Sequence, residues 1–424
     1  MTATDRTMSS SQSAASTETA PSASLRAEAR AWLAAHHRRG IDPKSWLAEV
    51  VDAGWSAPSW PTDWFGKGVS PDLARAVDEE FKAVGAGGYG QDVSNLWANT
   101  VLAFGQDGLR HQVLRPLLLQ QIDMCLLYSE PGAGSDLAAV QTRAERDGDE
   151  WIVHGQKVWT SGGRHAEYGL LIARTDWDVP KHRGITFFFL PMRQDGVEVR
   201  PIRQATGDSR FNEVFLTGAR VPDANRLGDL NGGWWVLQTA LMYERAVMGV
   251  TQKRDALKER AKVDRDPTSE SSAPVPDLEL IDLARRRARH TDPSVRQDLA
   301  RLHAMRTVNE WNAQRAKAAM QQGSSTPLAS LGKLAMSNIL HFAGRLQVSL
   351  LGMEATLAGE QWPESADATY AMLNAYFTSI GGGTDQIQRN IIGERLLGLP
   401  KEPEIDKSVP FREVRKSPER TLTR

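Results

Sequence analysis

Over residues 151–222 the chain changes its period, and this change limits its folds more than any other feature. The segments "WIVHGQKVW", "GLLIAR", "ITFFFLPM", "VEVRPIR" and "NEVFLTGARVP" are short, rich in β-branched and aromatic residues, and bounded by turn residues. That is the pattern of strands. On either side the apolar residues recur three and four apart, as in "LRAEARAWLAAHH" and "DLARAVDEEFKAV" before it and "LASLGKLAMSNILHFAGRLQVSLLG" after it. Those are helical periods. The sequence therefore predicts an α+β multidomain chain, with a helical domain over 25–124, a β domain over 125–230 and a second helical domain over 231–400. A length of 424 residues is too great for one ordinary core and agrees with several packed units. Residues 1–24 are mostly Ser, Thr and Ala and cannot bury enough apolar surface to order themselves, so they are expected to be a disordered tail, with a second tail over 401–424. A polar, Pro/Ser-rich linker is expected over 262–277, and no internal repeat is visible.

Charge and cysteine content narrow the function. Lys plus Arg number 51 against 52 Asp plus Glu, so no global field draws the chain to nucleic acid or to an anionic membrane. The single Cys125 excludes an internal disulfide. No apolar run has the length of a membrane span or the setting of a signal peptide, and the cytoplasm is the expected compartment. The expected partners are small molecules or protein.

Three glycine-rich motifs carry the chemistry. "YSEPGAGSD" (128–136) opens the β domain, "GQKVWTSGG" (155–163) lies within it, and "SIGGGTDQIQRNIIGERLLGLP" (379–400) closes the second helical domain. In the last, Thr384 reads as an N-cap, with Ile387, Ile391, Ile392 and Leu396 forming a helical apolar stripe. Glycine beside small hydroxyl residues lets backbone N–H groups approach a phosphate or a polar ring edge closely. Alone, such a loop is more often an ordinary turn, and Trp159 alone is more often a core residue.

In order and spacing, however, the three motifs resemble the acyl-CoA dehydrogenase family over roughly residues 25–400. The family's Thr-Glu-Pro-x-x-Gly-Ser-Asp loop reads here Ser129-Glu130-Pro131-Gly132-Ala133-Gly134-Ser135-Asp136, and its Gly-Thr-x-Gln-Ile-Gln-Arg reads Gly383-Thr384-Asp385-Gln386-Ile387-Gln388-Arg389. The resemblance implies the family fold: a helical domain, a β-barrel-like domain and a C-terminal four-helix bundle. It also implies non-covalent FAD, held by Leu127, Ser129, Ser135, Trp159, Ser161, Thr384 and Gln386, with Ser135 and Arg245 near the acyl-CoA and no metal. Electrons would pass to an electron-transferring flavoprotein, and the chain would form a homo- or hetero-oligomer, a dimer or tetramer.

Family chemistry needs one carboxylate to remove the α-proton of a thioester while the β-hydride goes to flavin N5. In medium- and short-chain members this is a Glu immediately before the Gly-Thr, a position occupied here by Gly382. Isovaleryl and long-chain types carry the base on the helix after the β domain, where this chain reads "WWVLQTALMYERAVMG". There Trp234, Leu237, Leu241, Glu244 and Met248 share one helical face, so Glu244 lies in an apolar stripe with no basic neighbour three or four residues away. Arg245 points about 100° away around the helix. Glu244 is thus the expected base, with its pKa expected to be raised toward neutrality. The family's enolate oxygen is held in part by a backbone N–H at position 382, a donor that survives loss of the side chain. Gly382 would also leave room for Glu244 or for a bulky acyl group, while Gly381 and Gly383 serve the backbone angles of the turn.

Two family features are altered. The Arg-x-x-Phe-Gly whose Arg reaches a neighbour's FAD pyrophosphate is replaced by "LARRRARHTDPSVRQDLARL", leaving Arg296 or an arginine among 285–289 as substitutes or as a solvated basic face. The Gln-x-x-Gly-Gly adenine contact reads Ser349-Leu350-Leu351-Gly352-Met353. Beside the dehydrogenase, an oxidase, a flavin-dependent monooxygenase on the same fold, or a non-catalytic subunit of a mixed complex therefore stay in view.

Overall fold

The computed structural model describes residues 20–249, 277–321, 327–359, 361–403 and 406–414; the expected linker, except Asp277, and residues 1–19 of the expected tail lie outside them. The chain divides into two compact units, Met1–Asp92 and Val93–Arg424.

The first unit holds α1 (Ala20–His36), α2 (Pro43–Asp52) and α3 (Pro71–Ala83). The helix starts are written in the sequence. Asp42 caps α2 by accepting from the Ser45 N–H at 2.9 Å, with Pro43 in the first turn, and Ser70 with Pro71 opens α3 in the same way. Leu25, Ala29 and Leu33 of α1 pack on Trp46, Val50, Trp55, Val77 and Phe81. Helix α1 begins at Ala20, so residues 20–24 are helix and not tail: Leu25 and Ala29 are buried, and the turn before them carries their helix back.

After a single turn α4 (Gln91–Ser94), the second unit opens with α5 (Leu96–Phe104) and α6 (Asp107–Leu118). The break in compactness thus falls after residue 92, ahead of the boundary at 124 that composition suggests. The strands are β1 (Met124–Leu127), β2 (Arg143–Asp147), β3 (Glu150–Ser161), β4 (Tyr168–Arg174), β5 (Ile185–Pro191), β6 (Val197–Ile202), β7 (Phe211–Pro222) and β8 (Arg226–Leu227). They form one mixed sheet in the order β6-β7-β3-β2-β4-β5-β8, with β1 parallel to β4. Its core is Leu127, Val153, Leu171, Phe188, Leu190, Val214 and Leu216. The antiparallel β3–β7 pair slips register between Lys157 and Thr160, a bulge that spans Val158 and Trp159.

The helices α7 (Gly233–Gly249), α8 (Asp277–Arg286), α9 (Pro293–Gln321), α10 (Leu328–Leu351), α11 (Pro363–Ile380) and α12 (Asp385–Ile391) complete the unit. Leu280, Leu283, Val295, Leu302, Ile339, Leu346, Leu350 and Ala368 form the core of this helical region. Helices α10 and α11 touch backbone to backbone at Gly344, where a Cβ would meet the Met372 Cα at 2.8 Å. A helical region, a mixed sheet and a second helical region are the architecture the periods predict. The segment expected as a C-terminal tail is instead docked over residues 406–414. Phe411 is buried, its N–H donates to the Val179 carbonyl at 2.9 Å, and Asp406 accepts from Lys181 Nζ at 3.0 Å. A buried aromatic ring, backbone hydrogen bonds and the Lys181–Asp406 and Arg412–Asp178 ion pairs together hold the strap down.

Candidate active site

The first two motifs form one structure. The Val158 N–H donates to the Ser129 carbonyl at 2.9 Å, and the fully buried Lys157 Nζ donates to the Tyr128 carbonyl at 3.1 Å and to Glu130 Oε1 at 2.9 Å. Glu130 also accepts the N–H groups of Gln141 (2.7 Å) and Thr142 (2.9 Å). Burial alone would push the Glu130 carboxyl up, yet Lys157 and these donors hold it below its usual value. A buried ion pair with every oxygen occupied fixes the start of the motif loop against β3. Arg174 fixes its exit: buried, it donates to the carbonyls of Ala138 (2.7 Å) and Val140 (3.1 Å), and its guanidinium lies 3.6 Å from the centre of the Phe411 ring. Lys181 bridges Asp136 of the loop and Asp406 of the strap. Between these anchors Ser135 is exposed, and a Cβ at Gly132 or Gly134 would meet nothing within 4 Å, so the loop presents open backbone.

The bulge in β3 turns Trp159 outward. Its φ is +63°, a left-handed value that a bulky residue rarely adopts, and the indole is 57% exposed. The indole edge meets Phe211 with centroids 6.0 Å apart, Phe211 meets Phe377 at 5.5 Å, and the Phe377 ring lies so close to Gly381 that a Cβ there would sit 2.9 Å away. This aromatic run joins the second motif to the third. Ser161 is exposed at the end of β3, and the buried Thr160 hydroxyl has no hydrogen-bond partner among the described residues.

The glycines of the third motif differ in purpose from the sequence expectation. Gly382 and Gly383 have φ of +66° and +88°, so Gly382 is required by its backbone angle and not by volume alone, whereas Gly381 is required by the Phe377 ring. Gln388 draws the loop inward, its amide donating to the Gly382 carbonyl at 3.1 Å, while the Gly382 N–H has no acceptor among the described residues. Thr384 is the N-cap of α12, accepting from the Ile387 N–H at 3.2 Å, and Gln386 is exposed in its first turn.

Helix α7 is pinned at its start, where a Cβ on Gly233 would lie 2.6 Å from the Thr186 carbonyl carbon of β5. Val236, Leu237 and Ala240 are sealed beneath it, and Glu244 is half-buried one to two turns on. The side chains of Arg245 and Met248 lie outside the described residues. Glu244 bears on the first motif through Tyr128. That phenol is buried, its hydroxyl has no hydrogen-bond partner among the described residues, and burial followed by the Glu244 charge pushes its pKa well above the usual value. The Leu127 side chain is wholly inside the sheet core, so that position offers a cofactor only its backbone. The four arginines of 285–289 are all engaged, Arg285 with Asp282, Arg286 with Glu364, Arg287 with Glu354 and Glu364, and Arg289 with Asp292; Arg296 reaches the His290 carbonyl at 3.5 Å. Arg286 and Arg287 tie this segment to Glu354 and Glu364, whereas the Arg285 and Arg289 pairs are local, three residues apart.

An exposed indole, open glycine backbone, a buried Thr160 hydroxyl without a partner and a bare Gly382 N–H suit a flat, polar-edged ring system. Tyr128, Glu130, Lys157, Phe211 and Phe377 are the site residues that sequence reading misses. For the Glu130–Lys157 pair a signal existed: opposite charges inside two adjacent glycine-rich motifs. None marked Phe211 or Phe377, which read as ordinary apolar positions.

Residues 125–218 match the family model "Acyl-CoA dehydrogenase, middle domain" and residues 278–397 the model "Acyl-CoA dehydrogenase, C-terminal domain". The chain belongs to the acyl-CoA dehydrogenase family and is an oxidoreductase of that type. It is 32% identical over 404 residues to the acyl-CoA dehydrogenase IpdE1 of Mycobacterium tuberculosis, covering 89% of this chain and 98% of that protein. It is 34% identical over 353 residues to FadE34 of the same organism, spanning 83% of this chain but 46% of that longer protein. Among solved structures, it superposes on the Tcur3481-Tcur3483 steroid ACAD with TM-score 0.65 and 26% identity over 91% of this chain and 99% of that one. The ChsE4-ChsE5 complex from M. tuberculosis gives TM-score 0.59 and 29% identity over 91% and 99%.

Proposed function

We propose that the chain carries out FAD-dependent α,β-dehydrogenation of a bulky, ring-bearing acyl-CoA thioester, with Glu244 as the base. The observation that carries the reading is Glu244 itself, half-buried on a pinned helix and felt by the buried Tyr128 hydroxyl of the first motif. A carboxylate shielded from water, with Gly382 in the other base position, suits removal of a weakly acidic α-proton. Bound FAD supplies the acceptor for the β-hydride. Glu244 Oε takes the α-proton, the Gly382 N–H donates to the thioester oxygen as charge builds on it, and Trp159 excludes water beside the ring system. The α C–H electron pair becomes the new double bond as the β C–H leaves with its own pair.

A ring-bearing acyl group is supported by two things: the absence of a side chain at Gly382, and likeness to a protein described as a steroid ACAD. Electrons then pass to an electron-transferring flavoprotein. A second reading, a subunit that needs a paralogue, has one observation in its favour: all four arginines of 285–289 are ion-paired within this chain, leaving the pyrophosphate contact to a partner. Anaerobic titration decides. Straight, branched and polycyclic acyl-CoAs are added to the yellow protein, and the polycyclic one is expected to bleach the flavin band fastest. Bleaching by none of the three would contradict the proposed activity, and faster bleaching by a straight chain would contradict the substrate class.

A further inference from the structure

Ser337 of α10 lies fully buried beneath the glycine run. Its hydroxyl donates to Asp385 Oδ2 at 2.8 Å and lies 2.8 Å from the Ser379 hydroxyl, which in turn lies 2.6 Å from His341 Nε2, one turn further along α10. Ser379 stands two residues before Gly381, and Asp385 two residues after Gly383. One buried hydroxyl therefore touches both ends of a loop whose middle is bare glycine.

Counting hydrogens gives the chain a direction. Three short contacts join His341, Ser379, Ser337 and Asp385, and each needs one hydrogen. The two hydroxyls supply two, and the Asp385 carboxylate, with Lys333 Nζ at 3.5 Å, supplies none. The third must come from His341 Nε2. With that N–H in place, His341 donates to Ser379, Ser379 to Ser337 and Ser337 to Asp385, and every contact is satisfied. With Nε2 bare, one of the three contacts becomes a pair of lone pairs facing each other. Around the imidazole stand the edge of the Tyr376 ring, centroids 4.7 Å apart, and Arg345, whose charge acts with burial to disfavour the imidazolium.

We propose that His341, Ser379, Ser337 and Asp385 form a positioning relay that holds the Gly382 N–H in register for the thioester oxygen, with Ser337 as the staple and His341 as its terminal donor. This rests on the reading of the Gly382 N–H as an oxyanion donor. Such a donor works only if it is fixed within a few tenths of an ångström, and glycine has the most backbone freedom to lose. Gln388 fixes the loop's carbonyl side. The relay fixes its two ends, which Gln388 does not reach.

The test uses the full-length, FAD-loaded protein and reads two quantities. Hydrogen–deuterium exchange of the two hydrogen-bonded amides that bound the loop, Gly381 (to the Phe377 carbonyl, 2.7 Å) and Gln388 (to the Thr384 carbonyl, 2.9 Å), without acyl-CoA, reads the loop; rapid-reaction flavin reduction by acyl-CoA reads the donor. Ser337→Ala is expected to speed the loop's exchange at least tenfold and to lower kcat about tenfold, with KM changed less than twofold. His341→Leu should do the same, while His341→Gln, which keeps an N–H near the Nε2 position, should restore both readouts to near the wild-type values. The His341 pair decides the matter if Ser337→Ala does not fold. Unchanged exchange in Ser337→Ala or His341→Leu overturns the relay, even if kcat falls. Faster exchange with unchanged kcat overturns it too, and in that case the reading of Gly382 as the donor fails with it.

Discussion

At the residue scale, the candidate site holds polar atoms that have no partner among the described residues. Tyr128 is the sharpest of them. Its ring packs edge-on against Phe187 at 5.8 Å and its carbonyl is used by Lys157, while its buried hydroxyl has no partner among the described residues. A buried unpaired hydroxyl costs stability, about 1–3 kcal/mol, so its removal should not harm the fold. Tyr128→Phe is expected to melt at or slightly above the wild-type temperature, yet to move the acidic limb of the pH profile of kcat/KM, because the Glu244 charge acts on the Tyr128 hydroxyl and the variant removes that neighbour. A large loss of melting temperature, or an unmoved limb, would contradict this role. Glu244 was legible in the sequence because its neighbours at three and four residues are apolar. Tyr128 was not, since nothing in a sequence states that a side chain will find no hydrogen-bond partner.

At the element scale, helices and strands follow their periods closely, and the departures occur where tertiary contact overrules local pattern. The β3 bulge that turns Trp159 outward has no local signal; it arises from the register of β7 across the sheet. Helix α3 carries a second consequence of packing. Asp78 is largely buried and near Asp92, whose carboxylate accepts the Ser59 N–H at 3.0 Å and hydroxyl at 2.6 Å. Burial first, then the Asp92 charge, push the Asp78 carboxyl up to about 7 from an ordinary 3.8. Between those values the folded chain holds a proton that the unfolded chain has released. Stability therefore falls as pH rises from about 4 to about 7. Asp78→Asn should remove this slope and stabilise the protein at pH 8 by about 1–2 kcal/mol, with little effect at pH 4. Melting curves at pH 4, 6 and 8 check it; an equal pH slope in the variant would assign the effect to other groups.

At the scale of the whole molecule, the sequence made the order of helical, β and helical regions plain, but not the divisions between compact units or the use of the last residues. Helices α5 and α6 continue the helical character of α1 to α3, so no switch of secondary-structure type marks the break after Asp92. Phe411 looked like an isolated apolar residue in a polar tail, and its burial against Arg174 links the strap to the motif loop. The ion-paired arginines bear on assembly. Purified alone, the chain is expected to be an oligomer by light scattering, and co-expression with a paralogue should raise its FAD content per chain. A yellow monomer at micromolar concentration would contradict both expectations.

The central claim is that Glu244 removes the α-proton, and it is tested most directly by following that proton. An acyl-CoA analogue that cannot lose a β-hydride is incubated with the enzyme in deuterated buffer, and deuterium at the α-carbon is followed by mass spectrometry. Glu244→Gln keeps the shape and removes the base, so exchange should slow by about 10²–10⁴-fold while the analogue still binds. Exchange as fast as in the wild type would place the base elsewhere.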